Sequence, residues 1–570
     1  MTIQSRRPGT LTLAFILLLL NQVPHARAGQ EARPPVPSQE KPAQQTAAPP
    51  VAGREGQAPA AAAPQAKDET TSKSPEGLPP TELSLREAIR MAVDGNLDIQ
   101  VARMDPEQRK QDVIVARSIF DPTASGNSSR SKQTSKATSA FSATSSITDV
   151  FDAGIRKEFL TGAIATLAWN NQRSAVQLGT ASFQFANPTY RSELTLSFTQ
   201  PLLKGFGAKS DRLNVVITRN NLLVSQSQVR RTLLTTVRDA TNAYWDLAGA
   251  ISDLDVANQA LNLAKNLLKL NKAKVEVGTL APIEITQAEA GVASREEAVI
   301  VADNAIRTAE DSLRRILNAP KDSDLWNRPV RPKDEPPFET VQPPEIEQAV
   351  SEALANRPEL EQQRFQVKNL ELQAAIAQSA VHSQLDLTGS YGLSGVAGDR
   401  RIPVDKDNDG TIDGIVKIDQ GFGDAWQQIG NADLPSWSIG LQATYPIGNR
   451  AAKAAYARAH VAADQGRLSL KNAERGIEIE VRNAVRQVQT NVKRVQAARV
   501  NVDLQRKKLE AEQKRLQYGL SNSFQVLSFQ NDLTAAQSSE VKAIIDYNKS
   551  LANLANATGT LLDKQGIVVQ

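Results

Sequence analysis

Two long stretches of this sequence repeat an apolar residue every seven positions, and they constrain the fold more than any other feature. In residues 210–276 the series is Leu233, Ala240, Leu247, Leu254, Leu261, Leu268 and Val275. In residues 451–517 it is Val481, Val488, Val495, Val502, Leu509 and Leu516. Each stretch has 67 residues and no Pro, which predicts a coiled-coil helix of roughly 100 Å. The strict period also predicts left-handed supercoiling.

Each long stretch ends at a short break, after which a helical pattern resumes. The breaks are VGTLAPIEI at residues 277–285 and YGLSNSFQV at residues 518–526. Gly278 and Gly519 allow a backbone conformation that a side chain would hinder, and Pro282 suits the first turn of a new helix. The breaks therefore predict two helical hairpins, with tips near 278–283 and 519–524.

The hairpins belong to an internal duplication. LREAIRMAVDGNLDI (85–99) resembles IEQAVSEALANRPEL (346–360), and TQPLLKG (199–205) resembles TYPIGN (444–449), in the same order along the chain. We expect two tandem repeats, 81–319 and 345–570, joined by a Pro-rich linker at 320–344.

The beginning of the chain differs from the repeats in composition. Residues 1–28 have the basic, apolar and small-residue regions of a secretory signal peptide, so we expect an exported protein. Residues 29–80 are rich in Pro and Ala and lack apolar periodicity, which predicts a disordered leader.

Between the helices, several segments alternate apolar and polar residues, a pattern that predicts strands with one apolar and one polar face. They are SELTLSFTQPL at 192–202, LDLTGSYGL at 385–393 and WSIGLQATYPI at 437–447, with a fourth strand expected within 120–172. In an exported protein this favours a barrel with lipid outside and water inside. An ordinary half-buried sheet is the alternative. Four strands cannot enclose a water-filled lumen, so several chains must contribute.

Composition argues against several classes of function. Removing the three Arg residues of the signal leaves 63 basic residues (66 − 3) against 62 acidic ones, so there is no basic excess to bind nucleic acid. Cysteine is absent, which excludes disulfides and thiolate metal sites. Only His382 and His460 follow the signal, too few for a zinc hydrolase or a catalytic triad. We expect a protein that is not an enzyme.

One short motif suggests a cation site. DKDNDGTID places Asp405, Asp407, Asp409 and Asp413 at positions one, three, five and nine of a calcium loop, with Gly at position six. Position twelve is Val416 in place of a bidentate Glu. The motif leaves open either a structural Ca²⁺ in an external loop or a solvated acidic loop. No other cofactor is expected.

The order and duplication of these pieces resemble the TolC-like outer-membrane efflux protein family, over essentially all of residues 81–570. The pieces are LSLREAIRMAVDGNLDI, TQPLLKGFG, TYPIGNR and the paired breaks. The resemblance implies an α+β membrane protein that forms a homotrimer. Each chain would give four strands to a twelve-strand outer-membrane β-barrel, continuous with a long periplasmic α-helical coiled-coil barrel.

The same resemblance implies a function and a set of partners. The protein would be a passive outer-membrane exit channel of a tripartite efflux pump or a type I secretion system. It would work with a periplasmic adaptor protein and an inner-membrane pump or ABC exporter, and it would contact outer-membrane lipid.

In this family the hairpin tips form the gate and the surface on which the adaptor docks. The resemblance therefore gives these roles to Gly278, Thr279, Leu280, Pro282, Glu284, Gly519, Leu520, Ser521, Gln525 and Ser528. Several relatives carry acids at the positions of Gln525 and Ser528 and a basic residue at that of Ser521. This chain lacks those charges, so we expect a gate held by packing and polar contacts, with weaker cation selectivity.

Two other functions remain open at this point. An exported trimeric coiled-coil adhesin or envelope scaffold would also need long heptad helices, and so would a soluble periplasmic adaptor. The sequence does not indicate a substrate, because the residues expected to face the lumen are generic Ser, Thr, Gln and Gly.

Overall fold

A computed structural model describes residues 79–136, 143–178, 186–339, 343–404 and 414–567. The helices, in chain order, are α1 Leu85–Gly95, α2 Leu97–Arg117, α3 Lys209–Glu276, α4 Ile283–Leu317, α5 Asp324–Asn327, α6 Ile346–Asn356, α7 Pro358–Val381, α8 Phe422–Asn431, α9 Arg450–Gln517, α10 Ser523–Ala557 and α11 Leu561–Lys564. The strands are β1 Thr81–Leu83, β2 Thr123–Thr134, β3 Ala143–Glu158, β4 Ile164–Leu178, β5 Thr189–Pro201, β6 Val330–Pro332, β7 Gln384–Gly398, β8 Arg400–Val404, β9 Gly414–Ile418 and β10 Leu434–Thr444.

Two long helical hairpins dominate the fold. Helices α3 and α9 have 68 residues each, and the helices that follow them, α4 and α10, have 35 each. The predicted seven-residue series is buried where the helices pack, with Leu247, Val481, Val488 and Val495 fully inaccessible. Heptad side chains insert between those of a neighbouring helix, so this burial stabilises α3 and α9 as continuous helices. None of the helices in the described ranges is both long and apolar enough to cross a bilayer.

The main sheet has six strands in the order β10-β7-β5-β4-β3-β2, and every neighbouring pair is antiparallel. The prediction of four strands was therefore wrong, because the region expected to hold one strand holds β2, β3 and β4. Strand β2 reads TASGNSSRSKQT and shows no apolar alternation, so its sequence alone does not predict a strand. Gly162, at φ +82°, forms the turn between β3 and β4.

The faces of this sheet differ sharply in polarity. Strand β10 places Trp437, Ile439 and Leu441 on one face, and all three are largely exposed in the single chain, with Trp437 75% accessible. The intervening Ser438 and Gly440 lie on the other face, because side chains alternate along a strand. Helix α8 packs over part of this face, with the Trp426 ring 5.5 Å from the Trp169 ring. The apolar side chains of β10 stay exposed in the described chain, and they need another apolar medium.

The helices form one layer with two free edges. Near the sheet they lie in the order α2, α3, α7, α9, and toward the hairpin turns in the order α4, α3, α10, α9. Within the described chain, α2 and α4 form one edge and α9 forms the other. These edge helices carry exposed apolar side chains: Val101, Met104, Val115, Ile300, Val301, Val461, Leu468, Ile479, Val500 and Leu504.

A small two-stranded sheet of β1 and β6 braces α3 at mid-length. The Tyr244 ring is fully buried, and its hydroxyl lies 3.0 Å from both the Leu83 carbonyl oxygen and Asp334 Oδ2. Burial raises the pKa of Tyr244 to about 12, so the hydroxyl keeps its proton. Asp334 Oδ2 also accepts a hydrogen bond from the Leu85 amide at 2.7 Å. These contacts fix the start of α1 against the long helix.

Candidate functional site

The two hairpin turns have the same backbone geometry. Gly278 has φ +75° and Gly519 has φ +74°. In each turn the residue after the glycine donates a hydrogen bond across five residues: the Thr279 amide to the Lys274 carbonyl, and the Leu520 amide to the Arg515 carbonyl, both at 2.9 Å. This is the Schellman ending of a helix, which places its glycine in the left-handed region. A Cβ at either glycine would meet no atom within 4 Å, so the backbone angle alone requires glycine.

The helices after the two turns begin differently. Pro282 occupies the cap position directly before α4 and makes no side-chain capping bond. Asn522 caps α10, and its Oδ1 accepts a hydrogen bond from the Gln525 amide at 2.9 Å. Of the predicted site residues, Glu284 and Gln525 thus lie in the first turns of α4 and α10, and Ser528 lies one turn further along α10.

Polar contacts join the two hairpins just above their turns. Asn271, fully buried, donates from Nδ2 to Ser523 Oγ at 2.9 Å in the second hairpin and to the Glu284 carbonyl at 3.1 Å in its own. Lys274 Nζ donates to the Leu516 carbonyl at 3.1 Å, again across hairpins. Both residues therefore make polar contacts between the two hairpins.

A charged cluster lies inside the second hairpin. Glu512 is only 4% accessible, and its carboxylate accepts hydrogen bonds from Ser521 Oγ and, at 3.1 Å, from Arg515 Nη1. Arg515 also donates to the Leu520 carbonyl at 3.4 Å. Ser521 therefore takes part in a charge-assisted contact even though it carries no charge. The buried carboxylate holds the turn to the end of α9.

Sequence reasoning missed Asn271, Lys274 and Glu512, although a signal was present. Asn271 and Glu512 each lie three residues after an apolar heptad position, Leu268 and Leu509, in a series whose commonest residue is Ala. A polar residue at a core position of a coiled coil often fixes register or partner choice. That pattern would have indicated both residues.

The sequence of this chain matches a known protein family. The chain matches the profile described as "Outer membrane efflux protein" over residues 88–319 and 349–560, which is most of its length and covers both repeats. The chain belongs to the outer membrane efflux protein family. The prediction of this family was therefore confirmed, and family membership places the protein in the outer membrane as a transport protein.

Solved structures of outer-membrane proteins share the fold. The CmeC channel of Campylobacter jejuni is 17% identical, with a TM-score of 0.59 over 84% of this chain and 86% of that one. VceC from Vibrio cholerae is 15% identical, with a TM-score of 0.58 over 83% and 96%. The MtrE channel of Neisseria gonorrhoeae, solved in its open state, is 16% identical, with a TM-score of 0.58 over 84% and 89%. No curated protein sequence matches the chain.

In this efflux-family chain the tips also expose apolar side chains, and of these only Leu520 was predicted as a tip residue from the sequence. The exposed apolar residues are Val277, Ile283, Tyr518, Leu520 and Phe524. Tyr518 is 81% accessible, although aromatic side chains are usually covered in the absence of a partner. The roles of the predicted tip residues in gating and adaptor contact stay predictions.

The possible calcium loop, Asp405 to Asp413, lies outside the described residues, and so do the signal peptide and almost all of the leader. Within the described ranges, no group of three or more His, Asp or Glu side chains has the arrangement of a metal site. The calcium hypothesis therefore stays a prediction from sequence.

Proposed function

We propose that this protein is the outer-membrane exit channel of a tripartite efflux pump or a type I secretion system, and that three copies form one continuous duct. The observation that carries the proposal is the direct passage from strand to long helix. Strand β5 ends at Pro201 and α3 begins at Lys209, while β10 ends at Thr444 and α9 begins at Arg450. A sheet with one apolar face and one polar face is thereby joined, twice, to a 68-residue helix.

The free edges support assembly from copies of the same chain. Strands β2 and β10 are the two edges of the sheet, and α2 with α4 and α9 are the two edges of the helical layer. Strand β2 follows α2, and α9 follows β10, so each edge of the sheet continues into an edge of the helices. One edge of a chain meets the opposite edge of the next, a head-to-tail contact that closes into a ring. The ring buries the exposed apolar side chains of α2, α4 and α9.

The polarity of the sheet supports a membrane location for its apolar face. Outer-membrane lipid covers the side chains on the same face as Trp437, and the Ser-rich face borders the water-filled lumen. The helices then extend into the periplasm. Transport through such a duct is passive, so energy comes from an inner-membrane pump or ABC exporter. We also propose cleavage after residue 28, with repeats at 81–319 and 345–570.

At the tips we propose a gate on the inside and an adaptor-docking surface on the outside. Exposed apolar residues such as Tyr518 and Leu520 suit contact with a periplasmic adaptor, because aromatic side chains commonly anchor protein interfaces. Gly278, Thr279, Leu280, Pro282 and the residues of the second turn form the same surface. The polar contacts made by Asn271 and Lys274 hold the two hairpins together and so keep the duct closed.

Conductance of the purified protein in a planar bilayer tests the proposal. Lys274→Met removes the hydrogen bond from Lys274 to the Leu516 carbonyl of the other hairpin. A hydrogen bond from a charged group stabilises by about 1.5–3 kcal/mol. We expect the opening equilibrium constant to rise about tenfold or more. Lys272→Met is the matched control, because Lys272 forms an exposed ion pair at 3.0 Å with Glu289, which belongs to the same hairpin. The control should conduct like the wild type.

The outcomes separate the candidate functions. A channel gives discrete current steps that are longer or more frequent in Lys274→Met than in Lys272→Met. An exported coiled-coil adhesin or envelope scaffold leaves the bilayer silent with all three proteins. Equal currents from both variants would retain the channel but reject the gate assignment.

A further inference from the structure

One row of cross-strand partners crosses the whole sheet and is apolar at every strand. Its members, from one edge to the other, are Trp437, Tyr391, Leu196, Leu167, Ile155 and Ala124. Directly opposed residues in a sheet share a face, so all six project to the same side. The apolar face of the sheet therefore includes β3 and β4, and it does not end at the strands that the sequence predicted.

The polar face is equally continuous. Next to this row along the chain lie Ser438 in β10, Ser390 in β7, Ser197 in β5 and Thr166 in β4. Arg156 and Thr123 continue it across β3 and β2. An added hairpin that lay outside the membrane would not need to keep this alternation in step with its neighbours. Strands β3 and β4 have the pattern of wall strands.

The strand directions allow closure. With every neighbouring pair antiparallel and six strands in the sheet, the two edge strands β2 and β10 run in opposite directions. A second copy can therefore place its β2 beside β10 in antiparallel pairing, which is how outer-membrane barrels are built. Unpaired edge strands are otherwise costly and prone to aggregation.

We propose that three chains close a barrel of eighteen strands, three times the six of each chain, in place of the twelve implied by the family resemblance. The proposal rests on the trimeric channel proposed above, and it specifies the edge pairing and the width of the membrane section. The surface involved is the pair β2 and β10, and its partner is another copy of this chain.

An eighteen-strand barrel is closer in diameter to the ring of helices than a twelve-strand barrel is. With strands about 4.8 Å apart and tilted about 40°, twelve strands give a barrel about 24 Å across and eighteen give about 36 Å. Four helices per chain, α2, α3, α7 and α9, approach the sheet. Twelve helices spaced about 9 Å apart make a ring about 34 Å across. An eighteen-strand barrel therefore continues the helical tunnel without narrowing, so the membrane section admits whatever the tunnel admits.

The test compares the full chain with a variant that lacks the added hairpin. Residues 134–188 are replaced by an Asn-Gly turn, so that β2 runs directly into β5 with Gln133 opposite Thr189. The register permits this pairing, because Ala124 then lies opposite Phe198, which is on the same face as Leu196 (133 + 189 = 124 + 198). Repeat two already has this arrangement, since β7 pairs directly with β10.

Cryo-electron microscopy of the wild-type protein in detergent gives the strand count, and native mass spectrometry gives the number of chains. We expect three chains and eighteen strands for the wild type, and three chains and twelve strands for the variant. The largest neutral polymer that enters the pore from the external side measures the width of the entrance. We expect this width to be about one third smaller in the variant. If the variant does not fold, the wild-type map still decides.

The results distinguish the two proposals. A trimer with twelve wall strands overturns the eighteen-strand barrel and leaves the channel intact. A protein that is not a trimer overturns both. A variant whose polymer limit equals that of the wild type would show that the hairpin does not widen the wall.

Discussion

The two repeats of this protein agree in their helices and disagree in their strands. The long helices have 68 residues and the return helices 35 in both repeats, whereas the sheet takes four strands from the first repeat and two from the second. Helices that pack side by side to a common tip must match in length. A strand hairpin can be inserted without that constraint, because it adds two paired strands and leaves the edges of the sheet unchanged.

A second contrast lies at the tips. Asn271 and Glu512 occupy equivalent positions, each 62 residues after the first residue of its helix (271 − 209 and 512 − 450). Asn271 bonds to the other hairpin, whereas Glu512 bonds to its own turn. Lys274 and Arg515 differ in the same way. Equivalent positions therefore perform different tasks: the first hairpin provides the connection, and the second rigidifies its own end.

The largest effect is expected at the middle of the long helices. Tyr244 and Val485 lie at equivalent positions (244 − 209 and 485 − 450), and both are fully buried. Tyr244→Ala should lower the free energy of unfolding by about 3–5 kcal/mol, because it removes a large aromatic side chain from the core. Val485→Ala should cost less, since it removes less volume and no hydrogen bond. Urea denaturation in detergent measures both, and equal losses would contradict the special role of the Tyr244 hydrogen bonds.

Tyr244→Phe isolates the hydroxyl. The ring keeps its packing against Trp245, whose centroid lies 5.2 Å away, while Asp334 and the Leu83 carbonyl lose a partner. We expect a loss of about 1–3 kcal/mol in the same denaturation experiment, because buried polar groups are left unsatisfied. Wild-type stability in this variant would show that the mid-helix brace does not depend on the hydroxyl.

The two turns should respond alike. Gly278→Ala and Gly519→Ala each place a side chain at a positive φ and should each cost about 1–2 kcal/mol. Gly476→Ala is the control, because Gly476 lies inside α9 with open space around it; this change should stabilise by about 0.5–1 kcal/mol. Thermal melting of the three variants checks the signs. A large difference between the two turn variants would contradict their equivalence.

The tip contrast predicts different consequences for conductance. Asn271→Ala should raise the open fraction, because it removes the Ser523 contact between hairpins. Glu512→Gln should leave the open fraction near that of the wild type while loosening its own turn, since it weakens the Arg515 bond within one hairpin. Bilayer recordings measure the first effect, and hydrogen exchange of residues 518–522 measures the second. The reverse pattern would refute the division of tasks.

The smallest expected effect concerns pH. Burial raises the pKa of Asp253 above its ordinary value of 3.8, against the opposing effects of Ser538 and Lys542. The folded state then holds the proton more tightly than the unfolded state, so the free energy of unfolding decreases as pH rises from 3.8 through the raised pKa. Asp253→Asn should remove this dependence in urea denaturation at about pH 4 and about pH 7. Asp255→Asn, at an exposed position on the same helix, should change little.

The helices and turns could be predicted from the sequence because their signals are local and repeated. The predicted starts at residues 210 and 451 differ by one residue from Lys209 and Arg450. The strand count could not be predicted, because β2 is rich in Ser and Thr and becomes a strand through its pairing with β3. Contacts between hairpins, such as Lys274 with Leu516, depend on how distant segments pack.

Current through a planar bilayer is the most direct test of the central claim, which is that copies of this chain enclose a water-filled path whose closure depends on contacts between the two hairpins. We expect discrete conductance steps for the purified wild type and a larger open fraction for Lys274→Met than for Lys272→Met. A bilayer that stays silent with a correctly folded trimer of the wild type and of both variants would contradict it.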